Sequence, residues 1–352
     1  MIKAIGIDIG GEIKFSSGEF QLSIPNVIGS SDPAGWGDLA SDKSWSNNLI
    51  LVEDDEEFYI GELARTQSQI KRFILDQGTL TKIDDIFLLI KAVLPLILKE
   101  NEEDIALGIG LPISTPVEKM KELSSRLKGQ FNVNVQNEAT KETLEMVLNI
   151  KKVFIMPEAY GAYYNVVSDT EDETVIDAVV ISLDLLTELL VIYNGNLIRN
   201  ASRNLTNASL FILANKIAGA LQQQVGAIVN PHSILKNIRE DQKHVIISGK
   251  TYDIGKIKEH YIRQISSEIV ENLLEILKFL PMEATMEYYI LSGEALDLFW
   301  TEIQMLILEN ELIEDFDVDK IIIVKNPAFA NAIGFEKMVN KNIEKSSQKH
   351  DE

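Results

Sequence analysis

IKAIGIDIGGEIKFSSG, residues 2–18, is the stretch on which the reading of the chain turns. Ile2 to Ile7 is a short apolar run rich in β-branched residues, the mark of a buried strand. It delivers Asp8 to a turn holding Gly10 and Gly11, and the chain returns through Ile13, Lys14 and Phe15. Paired glycines reach positive φ and let bare N–H groups approach an anion. A carboxylate at a strand end can hold a hydrated Mg²⁺, and a lysine shortly afterwards can meet phosphate charge. The same residues also read as an ordinary β-hairpin with a Gly-Gly turn.

The 352 residues suffice for two domains with separate cores. A hydrophobic fraction of 45% beside 25% charged residues is that of a globular protein. No run approaches the roughly 18 apolar residues of a membrane span, and the N-terminus lacks a signal-peptide layout. The chain has no cysteine, which excludes disulfides and thiolate metal sites and fits a cytoplasmic protein. A formal charge of −21 argues against direct binding to nucleic acid, so any such partnership would pass through a basic adaptor. His232, His244, His260 and His350 show no metal-ligand spacing.

Going outward from the first hairpin, 21–29 reads as a strand broken at Pro25, and 30–48 as a surface loop with two tryptophans. Residues 48–64 read as two strands with an acidic turn, followed by a helix from Glu62 to about Phe73. Helices are expected at 83–99 and in the segment beginning at Thr115, with a buried strand at 103–114 between them. Residues 156–169 start a helix at Pro157 with Glu158 in its first turn. TEDET, 170–174, is an acidic break taken as the domain boundary. The second half repeats the plan: a hairpin from 178–184 and 189–195, a helix at 208–225, a small insert at 227–256, a helix at 257–280 and a strand at 286–294. A further helix, the strand 320–326 and a last helix from Pro327 follow, and the tail KSSQKHDE reads as disordered. Two halves that each open on a hairpin point to an internally duplicated α/β fold.

Taken together, these motifs resemble the actin-like ATPase family, closest to its ParM-like and archaeal branch, over almost the whole chain. The resemblance implies an α/β, two-domain actin-like (ribonuclease H-like, duplicated) fold with a nucleotide cleft between the halves. Domain I would span 1–170, with a small subdomain inserted at about 20–75 and the C-terminal helix 327–343 completing it. Domain II would span 171–326, and 344–352 would be a tail. The opening hairpin resembles the first phosphate loop, which assigns Asp8 to metal and catalysis and Gly10, Gly11 and Lys14 to phosphate. MPEAYGAYYN resembles the first connecting helix, where Glu158 would orient the attacking water. The alternative for Glu158 is a helix-first-turn acid favoured by the macrodipole. YILSGEALDLF resembles the adenosine loop, with Ser292 and Gly293 against base and ribose and Glu294 where a second glycine is common. NPAFANAIGFEKM resembles the C-terminal connecting helix, its Ala328, Ala330, Ala332 and Gly334 allowing close helix crossing. Lys216 falls near where relatives contact nucleotide.

The chain departs from the family at the second phosphate loop, where Asp-x-Gly-Gly-x-Thr-Thr-Asp is expected and VVISLDLLTELLVI stands. Thr187, Glu188 and Asp184 are the polar residues that resemble the expected ones, in registers one residue apart. Leu185 and Leu186 would resist positive φ at roughly 1–2 kcal/mol each and fill space where N–H groups meet phosphate. Losing two or three charge-assisted bonds of roughly 1.5–3 kcal/mol would weaken ATP binding by orders of magnitude. The resemblance thus implies an ATP/ADP- and Mg²⁺-binding ATPase that assembles head-to-tail with itself, as a cytoskeletal or plasmid-segregating filament working through a basic DNA-binding adaptor. The altered loop implies the alternative, a nucleotide-poor relative with a structural role. A sugar kinase would need a substrate-side aspartate, and a DnaK-type chaperone a further domain.

Overall fold

The computed structural model describes residues 2–351 apart from 32–41, 77–78, 81, 99–103, 171–174, 282–283 and 310–316. Most of the expected loop at 30–48, and all but Thr170 of the acidic break, lie outside the described residues. The chain divides into two compact units, Met1–Tyr164 with Asn331–Glu352, and Asn165–Ala330.

Unit 1 opens with β1 (Ile2–Ile9), β2 (Glu12–Ser17) and β3 (Phe20–Pro25), joined as an antiparallel meander. A small subdomain follows: β4 (Val27–Ser30), β5 (Leu49–Glu53), β6 (Glu56–Ile60), α1 (Glu62–Gln67) and β7 (Lys71–Phe73). The helix expected over 62–73 therefore stops after six residues, and its second half is a strand paired with β4. A short ribbon, β8 (Leu75–Asp76) with β9 (Thr79–Leu80), leads to α2 (Ile83–Ile97), β10 (Asp104–Leu111), α3 (Val117–Leu127), β11 (Gly129–Asn137), β12 (Thr143–Pro157) and α4 (Tyr160–Val167). The ten-stranded sheet runs β3-β2-β1-β10-β12-β11-β5-β6-β4-β7. Its central β1, β10 and β12 are parallel, and β1 and β10 are buried along nearly their full length, which is why they read as continuous apolar runs.

Unit 2 contains β13 (Ala178–Leu183), β14 (Thr187–Tyr193), β15 (Asn196–Leu197) and β16 (Arg203–Leu205), then α5 (Leu210–Val225) and α6 (Pro231–Arg239). The hairpin β17 (His244–Ile247) and β18 (Lys250–Asp253) precedes α7 (Gly255–Leu277), β19 (Tyr288–Ser292), α8 (Leu296–Glu309) and β20 (Ile321–Ile323). Its main sheet runs β15-β14-β13-β19-β20. Alternate residues of β13, β14 and β19, such as Val179, Ile181, Leu189, Val191 and Leu291, join side chains of α5, α7 and α8 in one core. In each unit an antiparallel hairpin is followed outward by two parallel strands: β2-β1-β10-β12 and β14-β13-β19-β20. The duplication expected from spacing is thus present in strand order and direction. The chain is α/β and duplicated, as the sequence implied.

The last helix, α9 (Ala330–Asp351), returns to unit 1 and runs to Asp351, where the sequence predicts a disordered tail from 344. Its small residues work against strand as well as helix. A Cβ on Gly6 of β1 would lie 1.9 Å from the Ala332 carbonyl oxygen and 2.5 Å from the Glu336 nitrogen. On α4, a Cβ on Gly161 would lie 2.4 Å from the Asn331 carbonyl oxygen. Buried Glu336 completes the clamp by accepting from the Ser16 hydroxyl at 2.6 Å and the Gly18 N–H at 2.5 Å.

Candidate functional site

The parallel strands of unit 1 bring its two predicted carboxylates together. Asp8 stands beside Gly110 at the C-terminal end of β1, and Leu111 of β10 stands beside Pro157 of β12. Glu158 follows directly, its N–H bonded back to the Leu111 carbonyl at 2.9 Å. Strand ends of this kind are where open α/β sheets place ligands. Asp8 is fully buried, Glu158 is 2% exposed, and carboxylate oxygens of the two lie within 4.8 Å of each other. Two such carboxylates repel strongly unless cationic charge sits with them. Lys14, also 2% exposed, is the cross-strand neighbour of Asp8. The helix expected from Pro157 begins instead at Tyr160, so Glu158 lies in the strand-to-helix junction, where its carbonyl accepts from the Gly161 N–H. The first-turn explanation for this acid is correspondingly weakened.

Two further residues brace this hairpin. The Asn331 side chain accepts from the Ala162 N–H at 3.1 Å and reaches Asp8 through its amide nitrogen at 3.5 Å. Asn26, between β3 and β4, donates to the Gly10 carbonyl at 3.0 Å. A buried asparagine beside a turn is the only local signal for either, and the sequence does not say which turn it serves.

The second hairpin is built like the first. Ile9 faces Ile13 across the first turn, and Leu183 faces Thr187 across the second, with three residues between in each. The Gly10 N–H points to the Glu12 carbonyl at 3.2 Å; the Asp184 N–H points to the Leu186 carbonyl at 3.3 Å. Counted from these bonds, the Asp8–Lys14 pair of β1 and β2 corresponds to the Ser182–Glu188 pair of β13 and β14. This settles the register and corrects an expectation. Positive φ occurs at neither Gly10 and Gly11 nor Leu185 and Leu186. The strain predicted for the leucines is absent because the turn itself never enters the left-handed region. The leucines act sterically: Leu185 and Leu186 are 3% and 7% exposed, and the Leu185 carbonyl receives the Phe211 N–H at 3.2 Å, in the first turn of α5.

Around this hairpin three hydroxyls, of Ser182, Thr187 and Ser292, are buried without a hydrogen-bond partner among the described residues. Such a group costs about 1–3 kcal/mol until something bonds it. Ser182 and Ser292 are register partners on β13 and β19 and share one face with Glu188; Thr187 stands opposite Leu183 on the other. Ser182 was missed by sequence reasoning, because only the duplication makes it the counterpart of Asp8 in its own hairpin. Gly293 follows at φ 104°, and a Cβ there would sit 2.1 Å from the Leu183 carbonyl oxygen. Gly293→Ala is therefore expected to destabilise the protein by about 2–3 kcal/mol, read as a lowered urea midpoint; an unchanged midpoint would contradict this. Glu294 is paired with Arg239 of α6 at 2.9 Å. Lys216 is exposed on α5, and its ammonium lies 5.4 Å from the Tyr261 ring centre.

A hairpin-led sheet present twice, with an acid–lysine pair on the first hairpin and a C-terminal helix returning to the first unit, is the fold of the actin-like proteins. Residues 6–161 match the family described as "Actin like proteins N terminal domain". No curated protein sequence matches it. Among solved structures it is similar to a ParM filament from Clostridium botulinum, with TM-score 0.76 and 17% identity over 97% of this chain and 99% of that one. It is similar to Ta0583, an archaeal actin homolog, in complex with ADP, with TM-score 0.70 and 16% identity over 97% and 100%. It is also similar to the actin-like protein Alp7A, with TM-score 0.74 and 13% identity over the whole of both chains. At these identities the likeness is one of fold. Among the described residues no helix is long and apolar enough to cross a membrane.

Proposed function

We propose that this chain is an ATP-hydrolysing, filament-forming actin-like protein. The observation that carries the reading is the close pairing of buried Asp8 and Glu158 at the ends of parallel strands, with Lys14 beside Asp8. The orphaned hydroxyls of Ser182, Thr187 and Ser292 support it, since they are acceptors and donors awaiting a polar ligand. Phosphate would meet Gly10, Gly11 and Lys14 of unit 1, and within unit 2 the reading assigns Ser182, Thr187, Glu188, Ser292 and Gly293 to nucleotide binding. A buried carboxylate is the hard oxygen donor that Mg²⁺ prefers, so Asp8 would hold it. Bound there, Mg²⁺ supplies charge neutralisation at the phosphates. Glu158 would orient a water and take its proton as the water oxygen bonds the γ-phosphorus and the bond to ADP breaks. Likeness to a ParM filament supports self-association through heterologous, head-to-tail contacts, which leave an open polymer. Use in plasmid segregation would add a basic DNA-binding adaptor.

One observation favours a second reading. Where the first hairpin has Asp8 and a glycine turn, the second has Ser182 and two buried leucines. A nucleotide-poor relative with a structural role would need no more. Titration of the purified protein with labelled ATP and ADP, with and without Mg²⁺, beside Asp8→Ala, separates the two. Metal-dependent binding that falls at least about 100-fold in the variant, with ATP-dependent sedimentation of the parent, is expected. A folded protein that takes up no nucleotide at about millimolar concentration would establish the second reading instead.

A further inference from the structure

Unit 1 carries a groove of about 510 Å³ away from the hairpin site, lined by Val52, Asp54, Lys91, Asn132, Asn134 and Glu145, among others. Its origin lies in the pairing of β11. β12 pairs with β11 from Gly129 to Gln136, but β5 pairs with it only from Asn134 to Asn137. β5 then leaves through a tight turn at Asp54 and Asp55, both at positive φ. Over Gly129–Val133, no described strand pairs with β11 on the side where β5 ends. Antiparallel strands send the N–H and C=O groups of alternate residues to alternate sides. Part of the backbone here therefore points at an open edge about 17 Å long, counting five residues at 3.4 Å.

The floor and walls of the groove give it a sign. The buried Lys91 is the only cation in its lining, and Glu53 neutralises it at 2.5 and 2.7 Å. The Lys91 ammonium lies over the Phe87 and Phe131 rings, at 5.7 and 5.9 Å from their centres. Asp54 and Glu145 remain in excess, and the exposed Asp55, Glu56 and Glu57 continue the acidic rim. The side-chain oxygen of Asn134, a residue in register with Val52 and Glu145, is buried without a hydrogen-bond partner among the described residues.

We propose that the open edge of β11 beside this groove takes an extended, basic segment of another protein as an added strand. Its backbone would pair with β11 in line with β5, and alternate Lys or Arg side chains would meet Asp54 and Glu145. The edge supplies affinity without sequence, and the acids supply selection. The inference stands on unit 1 alone and is independent of nucleotide chemistry.

A fluorescently labelled five-residue peptide alternating lysine and valine, titrated into the full chain at low salt, tests it. Saturable binding is expected, with amide hydrogen exchange slowed at 130–133. Methylating alternate peptide nitrogens of the probe keeps its charge but removes its donors, and should weaken binding by about tenfold or more. The double variant Asp54→Asn, Glu145→Gln should weaken it similarly; asparagine tolerates the left-handed backbone at 54, so the fold is kept. Equal binding of the methylated probe would mean charge alone and overturn the proposal. So would equal binding of a glutamate–valine probe, protection elsewhere than 130–133, or no binding at about 1 mM.

Discussion

Gly6→Ala is expected to lower stability by about 3 kcal/mol, and Tm by about 6–12 °C for a unit of this size. The reason is the identity of the atoms in the way. The new Cβ would meet the Ala332 carbonyl oxygen at 1.9 Å and the Glu336 nitrogen at 2.5 Å, which are backbone atoms of α9 and cannot rotate aside. Relief requires lifting α9 off β1, and Glu336 then loses its bonds from Ser16 and Gly18. The same substitution at Gly219 is expected to do the opposite. Gly219 is exposed inside α5 with nothing within 4 Å of an added Cβ, so alanine should stabilise by about 0.5–1 kcal/mol through helix propensity. Thermal melts of the two variants side by side make the comparison. A Gly6→Ala protein that melts with the parent would show that α9 does not bear on β1 as described.

The second large effect concerns chemistry. Glu158→Gln is expected to reduce ATP turnover by about 10²–10⁴-fold while leaving Mg²⁺-dependent ATP binding within a few-fold of the parent. Glutamine keeps the shape and hydrogen-bonding reach of glutamate but cannot take a proton. Binding is assigned instead to Asp8, Lys14 and the hairpin turn, and Glu158 reaches them from β12 through its own backbone bond to Leu111. Single-turnover assays with separate binding titrations read both quantities. Unchanged turnover would remove Glu158 from the reaction and leave it a buried strand-end acid. Loss of binding together with turnover would mean that it holds substrate instead.

Several parts of this arrangement are legible in local sequence. Continuous apolar runs flagged β1 and β10 because both faces of a central parallel strand are buried, so no alternation survives. Asp8 and Lys14 are six residues apart on one hairpin, a distance over which spacing and turn chemistry fix who meets whom. The Pro157-Glu158 junction is visible for a similar reason, although the helix begins later, because β12 keeps its pairing with β10 as far as Pro157. The helix expected over 62–73 failed where apolar pattern competes with pairing: Lys71–Phe73 gains a partner in β4 that no window of sequence contains.

What the sequence by itself determined is therefore local: the two hairpins, the acid–lysine pair of the first, and the small-residue helix that closes the chain. Tertiary structure alone decided the rest. Asn331 meets Asp8 across 323 residues, and Gly6 meets Ala332, because α9 returns to the sheet, which no short-range pattern records. Ser182 takes the place of Asp8 only once the two turns can be superposed bond by bond. Leucine is tolerated where glycine was expected because hydrogen bonds from Asp184 to Leu186 and from Phe211 to Leu185 close that turn without positive φ. Turn shape is set by where the flanking strands end, and that is a property of the sheet rather than of the residues in the turn.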